Sequence, residues 1–496
     1  MTAGSHTAGI DAEAERYWRT TLFAVFVVTV ARLAWLAMGK ADLYPDEAQY
    51  WAWSLHPAFG YYSKPPLVAW LIALTTTFLG ENELAVRLAA PLLHFATALT
   101  LFALARRLYD ARIAAWSAII YATLPGVTVS AMIMSTDAPL LLCWTVALYC
   151  FVRAREGEDW RWWLAVGAAA GVGLLAKYAM AYWLLSGLLF LVMGRGEQRH
   201  LPRYLGASAL ALLIYAPNFF WNLAHRFASY RHTADNAALD KPLFHAGTFF
   251  DFFGSQFAVF GPLLFATLLA IVLQGRHAFA EKRTALLACF ALPTLAMMLV
   301  VSFLSHAEPN WSAPTYVSAT ILVVAWLLAR EFKAILIASL VLHIGAAVIL
   351  LELRDIAHAV GYELAAKNDP LHRLRGWNQL GTAVARLLRE HPGAHLLVEN
   401  REDMAALLYY VHPHPFDALK WNGDDDKPND QFDIDADPAR YIGQDFLMVS
   451  STPDVRRITS RFTTLGPIQH IFIPLGGGVG RDYIVEFLAG FKGYKG

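Results

Sequence analysis

Two acidic residues and a lysine that follow the first apolar run have side chains suited to acid–base chemistry and to binding an anion. Asp46 and Glu47 are adjacent, and Lys64 comes directly before Pro65 and Pro66. A carboxylate in a partly desolvated position can act as a general base, and an ammonium group at a membrane surface can meet an anionic headgroup. Each also has a structural alternative, because Asp46 could cap a helix that begins at Glu47 and Lys64 could simply snorkel.

Three further charged residues lie within or beside apolar runs, where an unpaired charge is costly. Asp137 begins one such run, so we expect it to be either functional or the N-cap of a helix, and we favour function. Lys177 has long apolar stretches on both sides and is expected either to pair with a carboxylate or to face a wet cavity. For Arg32 the sequence leaves a snorkelling role and contact with a phosphate equally open.

The elements that must position these residues are membrane helices. Of the 496 residues, 57% are hydrophobic and only 16% are charged, whereas soluble proteins average about 25% charged residues. Apolar stretches of spanning length recur up to residue 351 and predict a polytopic α-helical membrane protein with about 11 to 13 spans. The assigned spans are 20–38, 84–105, 113–129, 138–152, 162–175, 179–193, 204–221, 255–273, 284–304, 313–329 and 334–351.

The balance of charge excludes one class of partner. The chain has 40 Lys and Arg residues against 40 Asp and Glu residues, so no net field attracts nucleic acid, and we predict no such partner. The three cysteines all lie inside apolar runs, which argues against a disulfide framework or a thiolate metal site.

Lysine and arginine in the short loops predict the orientation, because cytoplasmic loops collect them. If the N-terminus is inside, the short loops that carry these residues all fall on the inner side, as the loops with Arg107, Arg199 and Arg283 do. In this orientation the segment 65–79 cannot cross the membrane. Its apolar length is nearer about 14 residues than the roughly 20 of a span, so we interpret it as an interfacial helix. The outer side receives the segments 44–64, 135–137, 177–178, 306–311 and a long loop at 222–254.

The composition changes abruptly after Leu351, and residues 352–496 are predicted to form a second, soluble α/β domain on the outer side. Helical periodicity fits 377–390 and 403–411, while 395–398, 445–450 and 468–473 are typical of strands. This part also contains an acidic run at 424–426. The glycines at 476–478 lack the lysine and following helix of a phosphate loop, so we interpret them as a flexible turn.

The order of motifs resembles the GT-C class of membrane glycosyltransferases, in particular the protein O-mannosyltransferase superfamily and the lipid A aminoarabinose transferases. In the first outer loop the acid pair is followed by aromatic residues, by Lys64-Pro65-Pro66 and by an interfacial helix. The resemblance covers most of the chain up to Leu351. Its further motifs are Asn82-Glu83-Leu84-Ala85-Val86-Arg87, Ser135-Thr136-Asp137, Lys177, Glu308-Pro309-Asn310-Trp311-Ser312-Ala313-Pro314 and, in the tail, Gly376-Trp377.

This resemblance implies a polyprenyl-phosphate sugar as the donor and assigns roles in the first loop. Asp46 would be the catalytic carboxylate beside the acceptor nucleophile, with Glu47 supporting it. Lys64 would bind the donor phosphate, Tyr61 would add a hydrogen bond, and Tyr50 would belong to the substrate-binding residues. An acceptor hydroxyl is a weak acid and needs a base, which is consistent with the role of Asp46.

Five residues beyond the first loop complete the expected site. Asp137 joins the catalytic set and Lys177 the substrate-binding set. His306, Asn310 and Trp311 form a compact polar and aromatic group suited to holding a sugar, although a tryptophan at this depth is often an interfacial anchor.

No cofactor is predicted from the sequence. His225 and His232 lack the spacing of metal ligands, so a divalent cation could bind only through the carboxylates of Asp46 and Asp137.

The sequence thus predicts an inverting glycosyltransferase that moves one sugar from a polyprenyl phosphate to lipid A or another envelope glycolipid at the periplasmic face of the inner membrane, among membrane lipids. A uronic or neutral hexose is favoured over an amino sugar, because Ser63 stands where the aminoarabinose transferases are expected to carry an acid. The alternatives are a protein O-glycosyltransferase with the same type of donor and a lipid-linked sugar transporter. A transporter should place its charges near the membrane midplane between related halves, whereas here they gather at one face.

Overall fold

The computed structural model describes residues 3–157, 159–237, 244–423 and 427–494. The acidic run at 424–426 and residues 238–243 of the predicted loop lie outside these ranges. Up to residue 359 the described chain is helical. The helices are α1 (Ala3–Ala37), α2 (Pro45–Ser54), α3 (Leu67–Leu79), α4 (Glu83–Arg87), α5 (Ala89–Leu108), α6 (Ala111–Thr123), α7 (Pro125–Met132), α8 (Asp137–Glu156), α9 (Arg161–Ala176), α10 (Ala181–Met193), α11 (Leu201–Ala224), α12 (Ala228–Ala237), α13 (Ala246–Val259), α14 (Pro262–Leu273), α15 (Lys282–Leu304), α16 (Thr315–Ala329) and α17 (Lys333–Ala359).

Each predicted span coincides with an apolar helix or with a bent pair of helices, which confirms a polytopic helical membrane protein. Within the described ranges, 6 helices are long and apolar enough to cross a membrane, or up to 8 if each bent pair is one span. The predicted spans 162–175, 179–193 and 313–329 fold as shorter apolar helices, and so does the predicted interfacial helix at α3. The helices long enough to span a membrane are therefore fewer than the expected 11 to 13, because several predicted spans fold as helices of under 18 residues.

Backbone chemistry explains both bends. Pro125 begins α7 and forces Leu124 into an extended conformation with ψ 137, so that α6 and α7 meet at 55°. Between α13 and α14 the angle is 115°, and Gly261 adopts φ +89 before Pro262. A Cβ at Gly261 would also collide with the ring of His343, so the bend requires glycine. The described part of the predicted outer loop 222–254 contains α12 and the start of α13.

The chain divides into two compact units. The first, the helical unit, comprises Met1–Ala37, Lys64–Leu71 and Arg87–Ala347. The second, the sheet unit, comprises Met38–Ser63, Ile72–Val86 and Val348–Gly496 and so includes two segments that precede the predicted tail. The helical unit has a continuous apolar core that includes Trp144, Phe151 and Trp183.

The elements of the sheet unit after residue 359 are α18 (Trp377–Glu390), β1 (His395–Val398), α19 (Arg401–Tyr410), β2 (Leu419–Lys420), α20 (Gln431–Asp435), β3 (Phe446–Ser450), α21 (Arg456–Thr459), β4 (Thr464–Leu465), β5 (Gln469–Gly476) and β6 (Val479–Ala489). The strands form a mixed six-stranded sheet in the order β2-β1-β3-β6-β4, with β5 paired to β6. Strands β1 and β3 are parallel, with Val398 opposite Val449, whereas β6 runs antiparallel to β3. The predicted α/β character, both helices and all three strands are confirmed, and the glycines at 476–478 form the turn between β5 and β6.

Candidate active site

Asp46 lies in the first turn of α2. Pro45 begins this helix, as its fixed φ allows, and Tyr44 is the N-cap. The alternative that Asp46 is the N-cap is therefore wrong. Glu47 is fully buried, and its Oε2 accepts a hydrogen bond from the backbone N–H of Tyr44 at 2.9 Å. Glu47 thus satisfies a donor at the helix start, while the carboxylate of Asp46 is left for other contacts.

The partner of Asp46 is Arg401, a residue that sequence reasoning missed. Arg401 Nη1 lies 2.7 Å from Asp46 Oδ1 and also donates to Gln49 Oε1, one turn further along α2. Arg401 is the first residue of α19, which follows the carboxyl end of β1 and is capped by Asn400, whose Oδ1 accepts from the N–H of Asp403 at 2.8 Å. Burial acts to lower the pKa of Arg401, but the carboxylate of Asp46 and its neighbours outweigh it and the pKa is raised.

Arg401 also lines a cleft of about 550 Å³. The cleft lies where the parallel strands β1 and β3 end, the edge at which open α/β sheets bind ligands. Asp403 and Tyr483 are further lining residues, and the Tyr483 hydroxyl donates to Asp403 Oδ1 at 3.0 Å. Burial raises the pKa of the Asp403 carboxyl. The cleft therefore borders the arginine of the Asp46–Arg401 pair and carries charged side chains of its own.

The two tyrosines predicted to bind substrate are both buried in the sheet unit. The Tyr61 hydroxyl accepts from the N–H of Ala58 at 3.0 Å and donates to the carbonyl of Trp53 at 3.0 Å, and its ring stacks on that of Trp53 at 4.6 Å. Burial raises the pKa of Tyr61 to about 12. The ring of Tyr50 also packs against Trp53, and the two ring centroids are 5.1 Å apart. Both residues order the first loop, and their contact with substrate stays a prediction.

In the helical unit, three of the predicted site residues come together. Lys177 Nζ lies 2.6 Å from Asp137 Oδ1, and Asn310 Nδ2 lies 2.6 Å from Asp137 Oδ2. Asp137 is the first residue of α8, with Thr136 as the N-cap, so the N-cap alternative is wrong. Lys177 follows the end of α9, and its pairing with a carboxylate confirms the first of its two alternatives.

A buried amide positions the turn that carries Asn310. The hydroxyls of Ser312 and Tyr316 each donate to Gln256 Oε1 at 2.6 Å. The other two members of the predicted group make different contacts: His306 lies 3.0 Å from the half-exposed Glu308, and Trp311 packs against the cluster around Phe252 and Met298.

Arg32 is held inside the helical unit. Its Nη2 donates to the carbonyl of Ala122 at 2.6 Å and to Thr128 Oγ1 at 3.2 Å, and the residue is only 6% exposed. The snorkelling alternative is therefore wrong, since a snorkelling guanidinium would reach water.

Lys64 is half-buried, and its contact with a donor phosphate stays a prediction.

Within the described ranges, no three His, Cys, Asp or Glu side chains are grouped so that they could share a metal ion. The cation site through Asp46 and Asp137 stays a prediction.

Comparison with known proteins decides the family. Residues 63–221 match the dolichyl-phosphate-mannose-protein mannosyltransferase family. The chain is also 31% identical over 396 residues to the lipid A galacturonosyltransferase RgtD of Rhizobium johnstonii, an alignment that covers 79% of this chain and 82% of the relative. This chain belongs to the GT-C membrane glycosyltransferases.

One further relative and one solved structure are similar to this GT-C glycosyltransferase. The undecaprenyl phosphate-alpha-4-amino-4-deoxy-L-arabinose arabinosyl transferase 1 of Pseudomonas fluorescens is 31% identical over 202 residues, which cover 36% of each chain. The crystal structure of ArnT from Cupriavidus metallidurans bound to undecaprenyl phosphate has a TM-score of 0.64 at 18% identity and covers 94% of this chain and 97% of that one. The fold is therefore that of ArnT over almost the whole GT-C glycosyltransferase.

Proposed function

We propose that this glycosyltransferase moves one galacturonic acid residue from a polyprenyl phosphate to lipid A. The observation that carries the proposal is the 31% identity to a lipid A galacturonosyltransferase over 82% of that relative. The arabinosyl transferase at 31% identity, whose name specifies an undecaprenyl phosphate donor, supports the same type of donor here. Ser63 before Lys64 further supports a uronic acid, since no acid is available there to pair with a sugar amine.

Asp46 is the proposed general base. In a single displacement the acceptor hydroxyl attacks the anomeric carbon, the bond from that carbon to the phosphate oxygen breaks, and the hydroxyl proton passes to Asp46. The electron pair leaves on the polyprenyl phosphate, and the anomeric configuration inverts. Lys64 would stabilise the departing phosphate, which is the largest electrostatic demand of such a step. The 40% exposed side chain of Asp46 supports access by an acceptor.

Asp137 would act through the two groups it holds. Its two oxygens each accept one hydrogen bond, from Lys177 and from Asn310. An ammonium has three donors, so Lys177 can bind a donor sugar or phosphate while it stays paired with Asp137. We therefore assign Asp137 as a positioning residue and Lys177 and Asn310 as donor-binding residues.

The reaction would take place at the periplasmic face of the inner membrane. The support is the distribution of lysine and arginine among the short loops, which favours an inner position for Arg107, Arg199 and Arg283. Asp46 and Asn310 then fall in outer segments.

Mass spectrometry of the envelope tests this proposal. Lipid A from cells that carry the gene should contain species heavier by one hexuronic acid residue, and these species should disappear when the gene is deleted. An added residue on envelope proteins with unchanged lipid A would instead favour protein O-glycosylation, the function suggested by the mannosyltransferase family match at 63–221. Unchanged lipids and proteins would contradict both.

A further inference from the structure

The contact between Asp46 and Arg401 joins residues that are 355 positions apart. It brings a guanidinium from the C-terminal part of the sheet unit to a carboxylate of the first loop. Arg401 Nη1 bonds to Asp46 Oδ1, and Oδ2 has no hydrogen-bond partner within the described part of the chain. One carboxylate oxygen is thus fixed while the other is left for a substrate.

The arginine is itself held in place by its surroundings. Its Nη1 also donates to Gln49, which is only 2% exposed and lies on the same face of α2 as Asp46. Helices α2 and α19 pack together through Trp51 and Tyr409, whose ring centroids are 4.9 Å apart. The two members of the pair therefore lie on helices that pack against each other.

We propose that Arg401 is the positioning residue of Asp46, holding the carboxylate turned toward the acceptor hydroxyl. The physical basis is that a charge-assisted hydrogen bond at 2.7 Å restricts the orientation of the carboxylate. The inference rests on the proposed function, in which Asp46 is the base. It makes the C-terminal part of the chain a contributor to the reaction itself.

The exposure of the Asp46–Arg401 pair distinguishes a positioning role from a contribution to the stability of the fold. The side chains of Arg401 and Asp46 are 35% and 40% exposed, and ion pairs so exposed to water contribute little to stability. The loss of Arg401 should therefore reduce turnover while the protein stays folded. Arg401 also borders the open cleft, so a small cation added in solution can reach the vacated position.

The test uses the full-length protein in nanodiscs with the variants Arg401→Ala, Arg401→Lys and Asp46→Asn. Arg440→Ala is the matched control, because Arg440 lies in the same unit with its side chain 80% exposed. We expect Arg401→Ala to lower kcat by about 10²-fold, the cost of a misplaced catalytic group, with little change in KM for the donor or in the melting temperature. Arg401→Lys should recover part of the loss, and millimolar guanidinium should restore activity to Arg401→Ala more than methylammonium does. Arg440→Ala should behave as wild type.

The possible failures are distinguishable. Wild-type turnover in Asp46→Asn would overturn the proposed base and with it this inference. An inactive Asp46→Asn together with a fully active Arg401→Ala would overturn the role of Arg401 alone. If Arg401→Ala does not fold, Arg401→Lys decides: a kcat equal to that of wild type would contradict the role, since the shorter lysine side chain cannot place its ammonium where Arg401 Nη1 bonds to both Asp46 and Gln49.

Discussion

Lys177 Nζ lies 2.6 Å from Oδ1 of Asp137, and the two side chains are only 17% and 7% exposed. Both residues border apolar helices, where an isolated charge would be costly. The pairing explains how the chain tolerates them there. It also makes each residue dependent on the other, because removal of one leaves the other charge buried and unmatched.

Lys177→Met should therefore destabilise the protein strongly, by about 3–5 kcal/mol, because it strands the carboxylate of Asp137. The measurement is the thermal unfolding of the purified protein in detergent. Lys177→Met combined with Asp137→Asn should be less destabilised than the single variant. Lys282→Met is the control: its side chain is 71% exposed, and its replacement should cost no more than about 1 kcal/mol. Equal melting temperatures for Lys177→Met and Lys282→Met would contradict the importance of the pair.

Asp42 caps α18 from a distant part of the chain. Its Oδ2 accepts from the backbone N–H groups of Trp377 and Asn378 at 2.8 and 3.3 Å. Asp42→Ala should reduce stability by about 0.5–2 kcal/mol, the usual cost of a lost N-cap, and Asp42→Asn should lose less because an amide oxygen still accepts. Proteolysis of α18 under native conditions would measure this loss. Identical cleavage rates for wild type and Asp42→Ala would show that the cap is not needed.

Lys64 has the donor phosphate as its proposed partner. Lys64→Ala should weaken donor binding by about 2–5 kcal/mol, because it leaves the phosphate without its counter-charge. Lys64→Arg should recover only part, since a planar fork does not replace a compact ammonium. Donor affinity in nanodiscs is the measurement. If all three proteins bind the donor equally and turn over equally, Lys64 only snorkels.

Reporter fusions test the proposed orientation. Fusions after Arg107, Arg199 and Arg283 should report the cytoplasm, whereas fusions after Pro45, Pro309 and Gly393 should report the periplasm. The physical reason is the retention of lysine and arginine in inner loops. A cytoplasmic signal after Gly393 would contradict the odd number of crossings on which the orientation depends.

The helices and most of the sheet could be predicted because their signals are local. The apolar run at 284–304 is enough to place α15, and the periodicity of 377–390 gives the bounds of α18. Strand β6 was missed, although it is the longest, with 11 residues. Its first four residues, 479–482, are exposed or half-buried and include Gly480, Arg481 and Asp482, so they lack the alternation of a half-buried strand.

The sequence singles out the candidate residues of the site but not the contacts between them. A carboxylate and a lysine beside apolar runs stand out singly, which is why Asp137 and Lys177 were both expected. Arg401 gives no such signal, because it is one of many charged residues in a polar segment. Its importance depends on the packing of α2 against α19, a contact that no local pattern encodes.

Turnover of Asp46→Asn is the most direct test of the account. The substitution removes the charge and the basicity but keeps the size of the side chain, and Glu47, not Asp46, satisfies the start of α2. The assay is transfer from polyprenyl-phosphate galacturonic acid to lipid A by purified protein in nanodiscs, with donor in excess. The account predicts a folded protein that binds donor like wild type and forms almost no product. Product formation at the wild-type rate would contradict it.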